Sequence, residues 1–570
     1  MPTLTTRYME KADFSNPHSY HPTPQFKREA YLSLNGKWDF AISKSENTPI
    51  FHDKITVPFC PESPASGLGI TIKPGDVMHY RTYFTLPENM CKDKTLLHFG
   101  AIDQHAKVYL NGKLIGENHG GYIPFSFDIT DALVKGENVL YVIATDGLDH
   151  KYPYGKQKYD RGGMWYTPVS GIWQTVWLES LPKNNISKID ITPTNNGARI
   201  KVHGGDTHKK ITLTESGEVF ESDTDTIEIT PRSVIKWTPE EPHLYYFTIE
   251  SGKDIVESYF AIRTVDIRNI GGVNRICLNG KPYLFNGMLD QGYYPDGIFM
   301  PSTIDGYIDD IKLTKALGFN MLRKHIKIEP MIFYYLCDKL GVAVFQDMVN
   351  NGKYKFLRDT VLPTISLNRG QKLCDKNFSR DIETRAIYES TMRATTALLY
   401  NTPSVVYYTV FNEGWGQFCA DEMYDKIKAL DSTRIIDTTS GWFRRNKSDV
   451  DSRHIYFRKL APKKRDNKPL VISEFGGYAH SVKGHVFSEK IYGYRTFDSR
   501  EEFENSICNL YETEVYDLVN SGASAFVYTQ VSDVEDEING FVTYDRQVVK
   551  VDTERIKKIN DMLKSTSENL

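Results

Sequence analysis

The chain has 570 residues, 40% of them hydrophobic, with 69 basic against 73 acidic side chains and a net charge of -4. That length exceeds what one hydrophobic core sustains and predicts about three domains, one of them a large α/β unit. The balanced charge excludes a basic nucleic-acid stripe and an acidic solvating tail, and no run reaches the roughly 18 apolar residues of a membrane span.

Aromatic residues make up 12% of the chain, with 35 Tyr and 7 Trp. Aromatic faces stack on the apolar C–H faces of sugars; all-β domains are also Tyr-rich, and composition alone does not choose between the two. The seven cysteines, Cys60, Cys91, Cys277, Cys337, Cys374, Cys419 and Cys508, form no CxxC pair and no zinc spacing. A dispersed odd set reads as reduced thiols in a cytoplasmic protein. Met1 to Tyr20 contains no apolar h-region, so no signal peptide is expected.

In chain order, residues 1–182 read as all-β. Short alternating segments recur at Lys37–Phe40, Tyr80–Phe84, Thr95–Phe99, Lys107–Leu110, Val139–Ile143 and Gln174–Leu178. Asn111-Gly112 between Val108–Leu110 and Leu114–Ile115 is a two-residue hairpin pattern. Many short strands with regular turns predict a jelly-roll β-sandwich. Residues 183–264 form a second β block of immunoglobulin-like size, and no cysteine falls there to make an inter-sheet disulfide. From 265 to 570 strands alternate with helical patterns. Strands are predicted at 282–290, 319–325, 342–348, 404–413, 434–440, 451–457, 469–475 and 523–531. Ser302 and Asp305 predict a capping box ahead of a helix ending at Gly318, and a second helix ends at Gly341. Longer helical patterns cover 378–400 and 498–521, while the segment between strands five and six is too short for a full helix. Eight strands in this arrangement predict a (β/α)8 TIM barrel.

Barrels of this type carry their chemistry at the C-terminal ends of the strands. Strand four runs Val405-Val406-Tyr407-Tyr408-Thr409-Val410-Phe411 and then meets Asn412-Glu413; strand seven runs Leu470-Val471-Ile472-Ser473 and then meets Glu474. Strand propensity does not call for a carboxylate after either apolar run, and burying one is costly. Two carboxylates facing one another across a barrel mouth are what glycoside hydrolysis needs: one attacks the anomeric carbon, the other protonates the leaving oxygen and then activates water. The alternative for each alone is a loop carboxylate paired with an arginine; both together, each after a buried strand, argue against it.

Val410-Phe411-Asn412-Glu413 together with Ile472-Ser473-Glu474-Phe475-Gly476 resembles glycoside hydrolase family 2, the β-galactosidase and β-glucuronidase family. The resemblance extends to Leu34-Asn35-Gly36-Lys37-Trp38, to Gly171-Ile172-Trp173-Gln174-Thr175-Val176-Trp177-Leu178-Glu179, to Leu322-Arg323-Lys324-His325 with Leu336-Cys337-Asp338-Lys339-Leu340-Gly341, and to Tyr528-Thr529-Gln530 with Asn539-Gly540. It implies a jelly-roll sugar-binding-like domain over 1–182, an immunoglobulin-like sandwich over 183–264 and a catalytic barrel over 265–570. It also implies Glu413 as acid/base, Glu474 as nucleophile, Asn412 on the sugar 2-hydroxyl, and Tyr456 hydrogen-bonded to the nucleophile. Asp290 and His325, at the mouths of strands one and two, match positions that hold sugar hydroxyls; the alternatives are a solvated loop carboxylate and a buried structural histidine. Trp442 and Trp415 are candidate stacking platforms, with ordinary packing as the alternative.

Three departures bear on the sugar. The family's second-strand Ser-His-Tyr-Pro reads Lys324-His325-Ile326-Lys327 here, the third strand ends Asp347-Met348 rather than Asp-Glu, and the Asn-x-Lys with which β-glucuronidases grip a carboxylate is replaced by Glu537-Ile538-Asn539-Gly540. Asp533, Glu535, Asp536 and Glu537 make that loop acidic, and facing the site it would repel a uronate. A neutral sugar is therefore expected, galactose by family frequency, with β-glucuronide, arabinopyranoside and mannoside as alternatives. A non-catalytic carbohydrate-binding protein is the alternative from another class. The stretches 350–377 and Lys459–Lys468 are candidate specificity loops. Some family members bind magnesium or sodium near the acid/base, but no ligand set specific for a metal is evident and no cofactor is expected. The expected partner is a carbohydrate or glycoside, without nucleic acid or membrane, in a homo-oligomer.

Overall fold

Eight buried, β-branched and aromatic runs in the C-terminal half cannot face water on either side, and they assemble as a parallel sheet covered by helices. The computed structural model describes residues 4–90, 92–361, 375–377, 381–461 and 467–570. Residues 362–374 of the 350–377 stretch, Lys463, Lys464, Arg465 and Cys91 lie outside the described residues. The strands are β1 Phe285–Asp290, β2 Met321–Lys324, β3 Ala343–Asp347, β4 Val405–Asn412, β5 Ile435–Ser440, β6 Asp451–Ile455, β7 Leu470–Gly476 and β8 Ala525–Thr529. Their order is β5-β4-β3-β2-β1-β8-β7-β6 with every pair parallel. The expected eight strands are thus all present. Residues 441–450, between β5 and β6, contain no helix, and these two strands share no backbone ladder, meeting instead through the Ser440 hydroxyl and His454. So short a link, without a crossover helix, leaves a seam in the barrel wall.

Helix α1, Asp305–Ala316, lacks the expected capping box. Its N-cap position is Ile304, without a side-chain cap, and the Ser302 hydroxyl is buried without a partner. The cause is Asp296, whose carboxylate accepts from the Ser302 and Thr6 N–H groups and so holds Ser302 away from the helix axis. The glycine stops form as expected. Gly318 and Gly341 both have φ of +79°, and Gly341 closes α2, Met331–Leu340, donating its N–H to the Cys337 carbonyl. The outer layer continues with α3 Ile382–Leu399, α4 Ala420–Leu430, a helix from Arg500 to Asn520 with a π-turn at Leu510–Val515, and α5 Thr553–Glu568.

Residues 31–181 form a sandwich of a four-stranded and a six-stranded antiparallel sheet, with Trp38, Phe40, Leu97, Val108 and Val142 in its core. Asn111 and Gly112 join Lys107–Leu110 to the next strand with φ of 52° and 81°, the left-handed pair of a type I′ hairpin. A smaller sandwich of three and four strands covers 186–260. Buried Arg263 ties it to the barrel floor by donating to the carbonyls of Pro403, Thr433 and Val405, each at 3.0 Å. Ile276 and Leu278 of a short hairpin over 265–282, with Trp237 and Tyr259 of the small sandwich, pack on Phe285, Ala343, Val471 and Ala525 at the strands' N-terminal ends. One end of the barrel is therefore plugged by apolar packing, and the other is left for polar groups. Over that other end runs an arm of the first sandwich, residues 146–170. Tyr154 N–H donates to the Asn350 carbonyl at 3.1 Å and its hydroxyl to Gly352 O at 2.9 Å, while Thr167 N–H meets Glu535 at 2.9 Å.

Among the described residues, no helix is long and apolar enough to cross a membrane. Cys60, Cys277, Cys337, Cys419 and Cys508 are free thiols.

Candidate active site

Strand β4 stays in register with β5 as far as Asn412, opposite Ser440, and Glu413 then leaves the strand in the left-handed region with φ of 53°. A non-glycine residue there is uncommon and stores strain, which the fold holds with a 2.9 Å bond from Glu413 N–H to the Ser440 carbonyl. Glu474 sits within β7 and is 5% exposed. One oxygen of Glu413, one of Glu474 and Nδ1 of His454 all lie within 4.8 Å of one another.

The charge at the centre is organised by Arg323, 1% exposed, from the interior of β2. Its guanidinium donates to Asp347 Oδ1 at 2.9 Å, Glu474 Oε1 at 3.0 Å, Asn412 Oδ1 at 2.9 Å and the Ser473 carbonyl at 2.9 Å. This planar fork fixes three strands to one another, a task for which lysine's point charge is unsuited. His454, on β6, bridges the two carboxylates: Nδ1 lies 2.7 Å from Glu413 Oε1 and 3.5 Å from Glu474 Oε2. Its Nε2 lies 2.7 Å from the Ser440 hydroxyl and 3.4 Å from an Arg323 N–H. Arginine only donates and the serine hydroxyl can, so in the neutral ring Nε2 accepts, and in either protonation state Nδ1 directs a proton at Glu413. Tyr456 donates to Glu474 Oε2 at 2.5 Å, lies 2.9 Å from the Thr529 hydroxyl and stacks on Tyr494 with centroids 3.9 Å apart.

Burial by itself would raise the Glu474 carboxyl, but the charges of His454 and Arg323, with His325 and the Tyr456 hydroxyl, outweigh it and hold it below the ordinary glutamate value. Asp347 is likewise buried yet lowered to about 2, because Arg323 and His325 both face it. The His325 ring is pushed down chiefly by burial and next by the positive charge of Lys156. At neutral pH the centre thus holds an ionised Glu474 and, against Asp347, a neutral His325.

The other residues singled out in the sequence divide. Asn412 and Tyr456 are at the centre. Trp442 reaches it edge-on, its ring 5.8 Å from that of His454. His325 is 3% exposed and gives Nδ1 to Asp347 at 2.8 Å, and its Nε2 has no protein partner among the described residues. Asp290 is not a solvated loop carboxylate. It is 5% exposed and pairs with Lys324 at 2.6 Å and the Gly292 N–H at 2.8 Å. Trp415 is buried and stacks on Trp165 of the arm, 5.3 Å and 13° apart, with Tyr354 edge-on to both. One face of its ring is therefore covered by protein. The acidic loop also departs from expectation. Asp533, Glu535, Asp536 and Glu537 are 2–3% exposed. Asp533 pairs with Lys550, Glu535 and Asp536 with Arg161 of the arm, and Glu537 accepts from the Tyr166 hydroxyl and from Asn539. Glu535, Asp536 and Glu537 thus fasten sandwich to barrel and Asp533 is paired within the barrel, so the loop is not an uncompensated acidic wall.

Arg323 and His454 are the functional residues that sequence reasoning passed over. The argument that exposed Glu413, a charge at the end of a buried strand, applies equally to Arg323 after Met321-Leu322. Glu413, His454 and Glu474 are also the one group among the described residues whose ligand atoms could converge on a cation. The donors there are the two facing carboxylates themselves, with the imidazole Nδ1 proton already directed at one of them, so this set does not fit a resident metal.

Comparison with known proteins places this geometry. The family model for the glycosyl hydrolase 2 galactose-binding domain-like fold matches residues 73–168, and that for the glycosyl hydrolases family 2 TIM barrel domain matches residues 269–559. A β-galactosidase of Pseudoalteromonas haloplanktis is 28% identical over 377 residues, 55% of this chain and 35% of its own. The matches span 32% to 48% of the length of the curated relatives. Among solved structures, a β-glucuronidase from an uncultured Clostridium species superimposes with a TM-score of 0.73 at 20% identity, covering 95% of this chain and 99% of that one. A β-galacturonidase from Eisenbergiella tayi, bound to galacturonate, gives a TM-score of 0.68 at 19% identity over 96% and 98%. The barrel match, with the first sandwich placed ahead of it, shows that the chain belongs to glycoside hydrolase family 2.

Proposed function

We propose that the chain is a retaining exo-β-glycosidase working by double displacement. The observation that carries this reading is the pair of carboxylates, Glu413 and Glu474, with one oxygen of each within 4.8 Å of the other. Retaining glycosidases hold their carboxyl groups about 5 Å apart, whereas inverting ones leave roughly 6.5–9.5 Å for a water. Glu474, kept ionised by Arg323, His454 and Tyr456, is the nucleophile. It bonds to the anomeric carbon as the C–O bond to the aglycone breaks, and Glu413 gives its proton to the departing oxygen. Glu413 then takes a proton from water, which attacks the same carbon and releases Glu474. Asn412 is held by Arg323 through its oxygen, which leaves its amide N–H groups for the sugar 2-hydroxyl. The arm over 146–170 walls one side of the mouth, which favours a chain end over the middle of a polymer. A non-catalytic sugar-binding scaffold would have no use for a strained Glu413 opposite an ionised Glu474.

The name of the curated relative supports a β-galactoside, while the named activities of the structural neighbours support a uronide. The argument from an open acidic loop no longer favours a neutral sugar. A panel of 4-nitrophenyl glycosides tests the reaction. Glu474→Gln should lose at least about 10⁴-fold in kcat, and azide should rescue Glu413→Ala with an azido sugar of retained configuration. Unchanged turnover in Glu474→Gln would remove the nucleophile assignment, and α-anomer formed first from a β-glycoside would remove retention.

A further inference from the structure

One cation at the mouth has no counter-charge. Lys156, on the arm, is 8% exposed, yet among the described residues its ammonium makes no hydrogen bond and no ion pair. The lysines of the adjoining floor contrast with it: Lys324 pairs with Asp290 and Glu329, and Lys327 with Glu329. The carboxylates around the mouth are engaged elsewhere, Glu413 by His454 at 2.7 Å. Asp347 and Glu474 are held by Arg323, Asp533 by Lys550, Glu535 and Asp536 by Arg161, and Glu537 by Tyr166 and Asn539.

Position is fixed from both sides. The backbone N–H of Tyr166 donates to the Lys156 carbonyl at 3.0 Å, and the ammonium lies 5.5 Å from the centroid of the Tyr166 ring. A cation–π contact offsets only part of the cost of taking an ammonium out of water. Immediately before it, Gly155 packs so closely on β2's end that an added Cβ would stand 3.0 Å from the Ile326 carbonyl. This holds Lys156 beside His325, whose ring feels its charge and whose Nε2 is unbonded. His325 shares Asp347 with Arg323, and Arg323 holds Glu474.

We infer that Lys156 is a specificity-determining residue that selects a terminal sugar bearing a negative group, a carboxylate or a sulfate ester, away from the anomeric carbon. This rests on the reading of Glu413 and Glu474 as the catalytic pair, because that pair fixes where the sugar ring sits. The lysine absent from the Glu537–Gly540 stretch is replaced, on this view, by one delivered from the other domain. An anionic sugar would supply the missing counter-charge, and water exclusion by the arm would strengthen the pair.

The test compares full-length wild type, Lys156→Met and Lys156→Arg on the 4-nitrophenyl β-D-glucuronide, β-D-galacturonide, β-D-galactoside, β-D-galactoside 6-sulfate and β-D-glucoside. Wild type is expected to favour an anionic substrate, the uronide and sulfate arms telling carboxylate from sulfate. Lys156→Met is expected to lower the ratio of anionic to neutral kcat/KM by about 10²–10³-fold, carried mainly by KM, and Lys156→Arg to keep most of it. A wild type that prefers neutral glycosides, or a Lys156→Met variant that loses equally on all of them, overturns the inference. Should no glycoside turn over, the proposed reaction fails separately. Calorimetric titration of D-glucuronate and galactose 6-sulfate then reads the same contrast without chemistry: weaker anion binding in Lys156→Met supports it, and equal binding overturns it. Circular dichroism of each variant separates loss of fold from loss of selectivity.

Discussion

Arg323→Met removes the guanidinium while keeping most of the volume. Asp347 stands at about 2 in the folded chain against an ordinary value of 3.8, both its partners being cationic or protonatable. Almost two units correspond to roughly 2–3 kcal/mol. Because the folded value is depressed, that stability is present above about pH 4 and is lost as pH falls through about 2. Without Arg323, burial dominates, and Asp347 and Glu474 both rise. At neutral pH the variant then carries two buried carboxylates without their cation, a cost of about 3–5 kcal/mol. The deficit must shrink as pH falls and the carboxylates take up protons. Thermal midpoints should drop by roughly 3–8 °C at pH 7 and by clearly less at pH 5. In activity, kcat should fall about 10²–10³-fold because Glu474 and Asn412 lose their common anchor. The acid limb of the kcat/KM profile should move to higher pH. An acid limb coincident with that of wild type, or a stability deficit equal at both pH values, would refute the account of Arg323 as the group that keeps Glu474 ionised.

Tyr456→Phe deletes the O–H that donates to Glu474 at 2.5 Å. It should reduce kcat about 10–100-fold and shift the acid limb of a pH–rate profile upward, since a donor to the charged form has been lost; a downward shift would contradict the assignment. Trp165→Ala empties one side of the stack on Trp415, which contributes about 0.5–1.5 kcal/mol beyond burial. Limited proteolysis should then cut within 146–170 faster than in wild type, and kcat/KM should fall several-fold; an arm equally resistant would mean that Trp165 does not hold it down. His454→Asn should change the dependence on aglycone pKa through Glu413 more than it changes the deglycosylation of activated substrates. Brønsted plots of kcat/KM for aryl glycosides read this, and parallel plots would assign His454 a role in packing alone.

What the amino-acid sequence made legible was whatever depends on local pattern. The eight barrel strands are visible because parallel strands buried on both faces are continuous apolar runs, and Glu413 and Glu474 stand out because each interrupts such a run at its exit. Asn111-Gly112 is visible because both residues must adopt positive φ, whatever else the chain does. The failures were of another kind. Ser302 carries the composition of a cap, but Asp296, itself held by Thr6 from the far N-terminal end, decides where it points. The loop from Asp533 to Glu537 is acidic by composition and neutralised by geometry, since Arg161 and Tyr166 arrive from a separate domain roughly 370 residues earlier. Burial classes follow the same rule: Asp290 and Trp415 have residue types suited to sugar contact, and only their partners, Lys324 and Trp165, show that they are already occupied. His454 illustrates why such cases resist single-sequence reading. Nothing in Ser452–Ile455 distinguishes a catalytic neighbour from a core histidine until β4, β6 and β7 close and set its Nδ1 between two carboxylates. Pattern therefore identifies the groups whose burial is anomalous in one strand, whereas selectivity depends on which charges meet across strands. Lys156 belongs to the second class: an ordinary loop lysine in the sequence, it becomes a site only because Gly155 lets the arm lie against β2.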